Sequence, residues 1–155
     1  MIQTKKRMGW CIACLILNLT FIWGNSLLPG EISGALSNWL GDVLSKLLPG
    51  YEAGMPQGGR GLLRKLAHFG EFALLGMCLR WLFGMLQKTP KLYFFSAACG
   101  AAAAFVDEGI QMFVPDRGPG LWDVGIDCLG VCLGIALLSV IHHKVKLKQS
   151  EEIKK

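Results

Sequence analysis

Apolar residues in this chain come in long blocks rather than in alternation with polar ones. Each block has about the length of a bilayer crossing, roughly 17–25 residues. The first covers about residues 8–28, behind Lys5, Lys6 and Arg7. A positive start followed by an apolar run also describes a signal peptide. Here the run is long and no small-x-small cleavage site follows it, so it reads as an uncleaved first span. Asn18, Thr20, Asn25 and Ser26 make its far end more polar, and Pro29-Gly30 ends it. Further spans are predicted over about 62–86, 92–113 and 121–141. A short turn around Lys88, Pro90 and Lys91 joins the second to the third. A tight loop over 114–120, with Pro115 and Pro119, joins the third to the fourth. A basic tail, 144–155, closes the chain. The expected fold class is all-α: an integral membrane bundle of about four transmembrane helices, forming a single domain over 1–155.

The segment 31–48 has a different pattern. Ile32, Ala35, Leu36, Trp39, Leu40, Val43, Leu44, Leu47 and Leu48 recur at helical spacing, with Ser33, Ser37, Asn38, Asp42, Ser45 and Lys46 opposite them. This predicts an amphipathic interfacial helix between the first and second spans, with Trp39 at headgroup level. Packing against the other helices is the alternative. Pro49-Gly50 stops it, and 51–61 reads as a Gly-rich loop.

Charge adds a topology. The chain of 155 residues carries a net charge of +5 and is 52% hydrophobic. Its basic residues cluster at the ends of the apolar blocks, the pattern of topology signals rather than of a nucleic-acid stripe, so no nucleic-acid partner is expected. Eleven Lys and Arg fall on the side of the N-terminus and five on the other, which predicts cytoplasmic termini. Six cysteines lie inside the apolar blocks. Cys11-x-x-Cys14 could be a redox or metal pair; the alternative is small apolar residues at helix contacts.

With both termini inside, three spans aim polar residues at the outer face. These are Lys65, His68 and Glu71 on the second, Asp107, Glu108 and Gln111 on the third, and Asp123 and Asp127 on the fourth. Each lies within two or three turns of that face, roughly 5–15 Å deep. His68 and Glu71 are i, i+3, while Asp107 and Gln111, like Asp123 and Asp127, are i, i+4, so each pair shares a helix face. Arg64, Lys65 and Arg117 oppose Glu71, Asp107, Glu108, Asp123 and Asp127, leaving a net −2 with His68 neutral. Either some carboxyls are protonated or a cation is bound. His68, Asp107, Glu108 and Asp123 form a candidate ligand set for a divalent cation such as Mn²⁺, Mg²⁺ or Zn²⁺. Interhelical ion pairs that only fix packing are the alternative for any one of these residues. His142 and His143, beside Lys144, read as solvated interface residues. Gly130-x-x-x-Gly134 and the small-residue run 96–104 predict direct contact of the third and fourth spans, with Gly70 and Gly76 available for similar close approach.

Lys65-Leu-Ala-His68-Phe69-Gly-Glu71-Phe72 resembles the K-x-x-H-F-x-E-Y signature of the VanZ-like membrane protein family. Asp107-Glu108-x-x-Gln111-x-Phe113, then Arg117, Asp123-Val124 and Gly130, resembles its second signature, and Ser26 and Pro29 its S-x-x-P region. The resemblance covers about 21–134. Phe72 stands where the family favours Tyr, and Asp127 where Asn is expected. The resemblance implies a bacterial multi-span protein of the cytoplasmic membrane, in a family some of whose members confer low-level resistance to teicoplanin-type lipoglycopeptides. Carried onto this chain, the signature residues are Lys65, His68, Glu71, Asp107, Glu108, Gln111, Arg117 and Asp123.

Three functions follow as expectations. The first is an envelope factor that acts on or shields a lipid-linked cell-wall precursor, with Arg64, Lys65 and Arg117 meeting phosphate. Gln111, Asp123 and Asp127 would complete that binding site. The second is an intramembrane enzyme on a lipid-linked phosphate, with Glu71, Asp107, Glu108 and His68 as acid–base groups. The third is a structural partner of other envelope proteins. A transporter fits less well, because the polar residues stop on one side of the bilayer.

Overall fold

The computed structural model describes residues 2–29, 59–86, 89–115, 117 and 120–153, with isolated positions at 32, 35, 39, 43 and 46. Four helices account for nearly all of this: α1 (Ile2–Ser26), α2 (Gly59–Leu86), α3 (Lys91–Gln111) and α4 (Leu121–Ile153). No strand occurs among the described residues. The expected interfacial helix over 31–48 and most of the expected loop over 51–61 lie outside the described residues.

Lys5–Ser26, Arg64–Leu86 and Leu121–Glu152 are long and apolar enough to cross a membrane. α3, whose last turns carry Asp107 and Glu108, is not among these three. α4 is longer than the expected span. Its 33 residues extend about 50 Å, against a hydrocarbon core of about 30 Å. The basic tail is therefore the helical continuation of α4, described to Ile153.

The helices alternate in direction, so α2 and α4 run parallel. Lys65 meets Asp123 at one end of this pair, and Arg80 meets Ser139 at the other. The most extensive packing in the bundle is between these two helices. Glycine is what brings them close. A Cβ on Gly130 would fall against the Phe69 carbonyl, one on Gly134 against Ala73, and one on Gly76 against the Val131 backbone. The Gly130-x-x-x-Gly134 pair thus opens onto α2 rather than onto α3. The third and fourth helices do touch, but there Gly100 of α3 receives the Val131 side chain. Gly70 faces open space. The core is filled by Ile22, Phe72, Leu75, Leu79, Ala104, Val131 and their neighbours, drawn from all four helices.

Candidate functional site at one end of the bundle

Alternation of direction brings the C-terminal ends of α1 and α3 together with the N-terminal ends of α2 and α4. The polar residues of α2, α3 and α4 therefore share one end of the bundle. Asp107 is completely buried, and His68, Glu108, Gln111, Arg117 and Asp127 are buried beside it. Lys65 and Asp123 sit at the rim, with Lys65 Nζ 2.7 Å from Asp123 Oδ1.

Gln111 is the centre of the inner network. Its Nε2 donates to Asp107 Oδ2 at 2.8 Å and to Ser26 Oγ at 3.2 Å, tying α3 to the end of α1. Glu108 turns the other way and accepts the Gly120 N–H, fixing the loop that leads into α4. Arg117 belongs to that loop but does not point into the acids. Its Nη2 donates to the Asn25 carbonyl at 2.8 Å and its Nε to the Leu28 carbonyl at 3.2 Å. It caps carbonyls at the C-terminal end of α1, sharing that of Asn25 with the Leu28 N–H at 3.3 Å. Burial is the main influence lowering the Arg117 guanidinium pKa from its ordinary value.

His68 Nδ1 and Glu71 Oε2 are 3.8 Å apart, too far for a hydrogen bond. Both atoms are buried without a hydrogen-bond partner among the described residues, as are Asn18 Oδ1, Asp107 Oδ1 and Glu108 Oε2. Each such atom costs about 1–3 kcal/mol unless a proton or a ligand satisfies it. Arg64, Lys65, His68, Gln111, Asp123 and Asp127 line a cleft of about 20 Å³. That is room for a water-sized group.

The expected metal set is not assembled. His68, Asp107, Glu108 and Asp123 share this end, yet among the described residues no three His, Cys, Asp or Glu side chains are placed to hold one ion. The physical reason is that Glu108 faces the Gly120 loop, Asp107 faces Gln111, and Asp123 faces Lys65. Cys11 and Cys14 are both free thiols. Cys11 is buried against the Cys78 carbonyl and Cys14 is exposed, so the pair forms no disulfide here.

Sequence reasoning missed the contribution of α1. Ser26 accepts from Gln111, the Asn25 and Leu28 carbonyls hold Arg117, and Asn18 donates to the Glu71 carbonyl at 3.5 Å. The signal was present in the polar far end of the first apolar block. Met112, Phe113, Leu121 and Trp122 around the α3–α4 loop are exposed, a composition suited to a membrane interface.

The family model described as VanZ/LLP1 matches residues 10–142. No curated protein and no solved structure matches the chain.

Proposed function

Because this chain belongs to the VanZ family, we propose that it is a bacterial envelope protein whose polar end lowers susceptibility to teicoplanin-type lipoglycopeptides. In this reading it spans the cytoplasmic membrane four times, with both termini in the cytoplasm, and the polar end faces outward. It acts on or shields a lipid-linked wall precursor at the outer leaflet. The observation that carries the reading is the convergence of buried ionisable side chains from α2, α3 and α4 at the end of the bundle remote from the chain termini. Ionisable groups at membrane depth are expensive, and such a concentration is a functional feature by default. The narrow cleft admits no more than a water-sized group, so a phosphate would stay at its mouth, where Arg64 and Lys65 are the cations it would meet first.

The topology is tested by fusing a reporter to the C-terminus, which should be active only in the cytoplasm. The function is tested in a susceptible Gram-positive host expressing wild type or Glu71→Gln at matched membrane levels. The wild type should raise the inhibitory concentration of teicoplanin and the variant should not. Equal susceptibility with and without the wild-type chain would remove the resistance reading.

Among the described residues, the unpartnered carboxylate oxygens of Glu71 and Asp107 at the same end as His68, with that of Glu108 beside the Gly120 loop, favour one second reading. There the same end performs acid–base chemistry on a lipid-linked phosphate. Glu108→Gln would then abolish turnover of such a substrate while helix content and monodispersity survive.

A further inference from the structure

The opposite end of the bundle holds a much larger space. A cavity of about 510 Å³ opens where the N-terminal ends of α1 and α3 meet the C-terminal parts of α2 and α4. This lies within the range of about 300–1,000 Å³ typical of small-molecule sites. Its walls carry Arg7 from α1, Arg80 from α2 and His142 from α4, with Trp81, Met85 and Tyr93 as apolar body. Among the described residues no acidic side chain lines it.

Arg80 is the built part of this site. It is buried, and among the described residues it meets no carboxylate. Its Nε donates to Ser139 Oγ at 3.0 Å, and Ser139 is itself held by the Ile135 carbonyl at 2.7 Å. Its Cζ lies 5.0 Å from the centre of the Tyr93 ring, a cation–π contact. Gly84, one turn along α2, leaves the space the guanidinium occupies: a Cβ there would come within 2.6 Å of Nη1. A hydroxyl and an aromatic ring thus hold a guanidinium in place at the wall of a cavity that, among the described residues, offers it no counter-charge. An arginine so placed near membrane depth calls for an anion.

We propose that this cavity binds a phosphate-bearing anion, with Arg80 and Arg7 on the phosphate and Trp81, Met85 and Tyr93 against an apolar portion of the ligand. An anionic phospholipid headgroup of the leaflet on the side of the termini has this chemistry, and a free phosphate compound has its polar half. The proposal is independent of the outward-facing function, since the two ends share no lining residue.

The test uses the full chain purified in a zwitterionic detergent and native mass spectrometry. Dioleoyl-phosphatidylglycerol, dioleoyl-phosphatidylcholine and inorganic phosphate are titrated separately. Wild type should retain one phosphatidylglycerol with an affinity at least about tenfold above phosphatidylcholine, and Arg80→Gln should remove about that factor. Arg7→Gln, at an exposed position that supports no packing, should weaken retention as well and serves if Arg80→Gln fails to fold. Lys148→Gln removes the same charge from the exposed α4 extension and should change nothing. Inorganic phosphate that binds as tightly, with the same dependence on Arg80, would keep the anion site and assign it to a free phosphate. Equal retention of the two lipids with no phosphate binding, or equal losses for Arg80→Gln and Lys148→Gln, would overturn the proposal.

Discussion

Replacing Gly134 by alanine adds one methyl group where the α2–α4 seam has no space for it. The new Cβ would stand 2.8 Å from the Ala73 carbonyl carbon and 2.9 Å from the Met77 nitrogen, closer still to the Ala73 oxygen. Ordinary contact begins at about 3.4 Å, and all three neighbours are backbone, so no side chain can turn aside. The two helices must separate by about 1 Å, which forfeits roughly a quarter to a half of the dispersion energy of each atom pair across the seam. With about 20–30 pairs at about 0.1–0.2 kcal/mol each, the dispersion loss is about 0.5–3 kcal/mol, in line with the about 1–3 kcal/mol typical of overpacking a close-packed seam. Gly125 lies on the same helix with nothing near its missing Cβ. Both substitutions share the helix-propensity gain of about 0.5–1 kcal/mol, so the difference between Gly134→Ala and Gly125→Ala isolates the seam. Helical ellipticity followed against SDS mole fraction in mixed micelles measures it. Gly134→Ala should unfold at a lower SDS fraction than wild type, and Gly125→Ala at an equal or higher one. Identical midpoints for the two variants would refute the close-approach argument.

Other perturbations probe the polar end by the same assay. Arg117→Ala releases the Asn25 and Leu28 carbonyls and should destabilise the fold by about 1.5–3 kcal/mol, as loss of charge-assisted hydrogen bonds does. Gln111→Leu leaves Asp107 and Ser26 without a shared donor and should cost about 2–3 kcal/mol, more than the roughly 1 kcal/mol expected for Ser26→Ala. Lys65 and Asp123 are partly solvated. A double-mutant cycle with Lys65→Gln and Asp123→Asn should therefore return a coupling of about 0.2–1 kcal/mol.

Much of this arrangement was legible in the sequence because helix ends follow from composition. Block length and Pro-Gly breaks located the helices to within a few residues, apart from the N-terminal start of α1 and the long extension of α4. The gathering of Lys65, Glu71, Asp107, Gln111 and Asp127 at one end then followed from alternating direction alone. Which helix faces which did not. Gly130 and Gly134 announce close approach, but nothing local to them selects α2 over α3; that choice depends on where Ala73 and Val131 fall once all four helices are packed. The target of Arg117 was hidden for a related reason. A count of charges pairs it with the surrounding acids, whereas the nearer need is a set of helix-end carbonyls that sequence does not display as charge. The Arg80 cavity was equally silent, since in the sequence Arg7, Arg80 and His142 lie far apart at the ends of separate apolar blocks.

The parallel α2–α4 seam also has a consequence for biosynthesis. Gly134, which seats against Ala73, lies 48 residues beyond the end of α2 at Leu86. At about 5–20 residues per second, α2 has been made for roughly 2–10 s before its main partner emerges from the ribosome. Throughout that interval His68, Glu71 and Arg80 have no α4 beside them, and bare lipid is a poor environment for all three. The second helix must therefore be held at the insertion site, or dwell near the interface, until the fourth arrives. Membrane insertion of this chain is in that sense a delayed pairing rather than a helix-by-helix release.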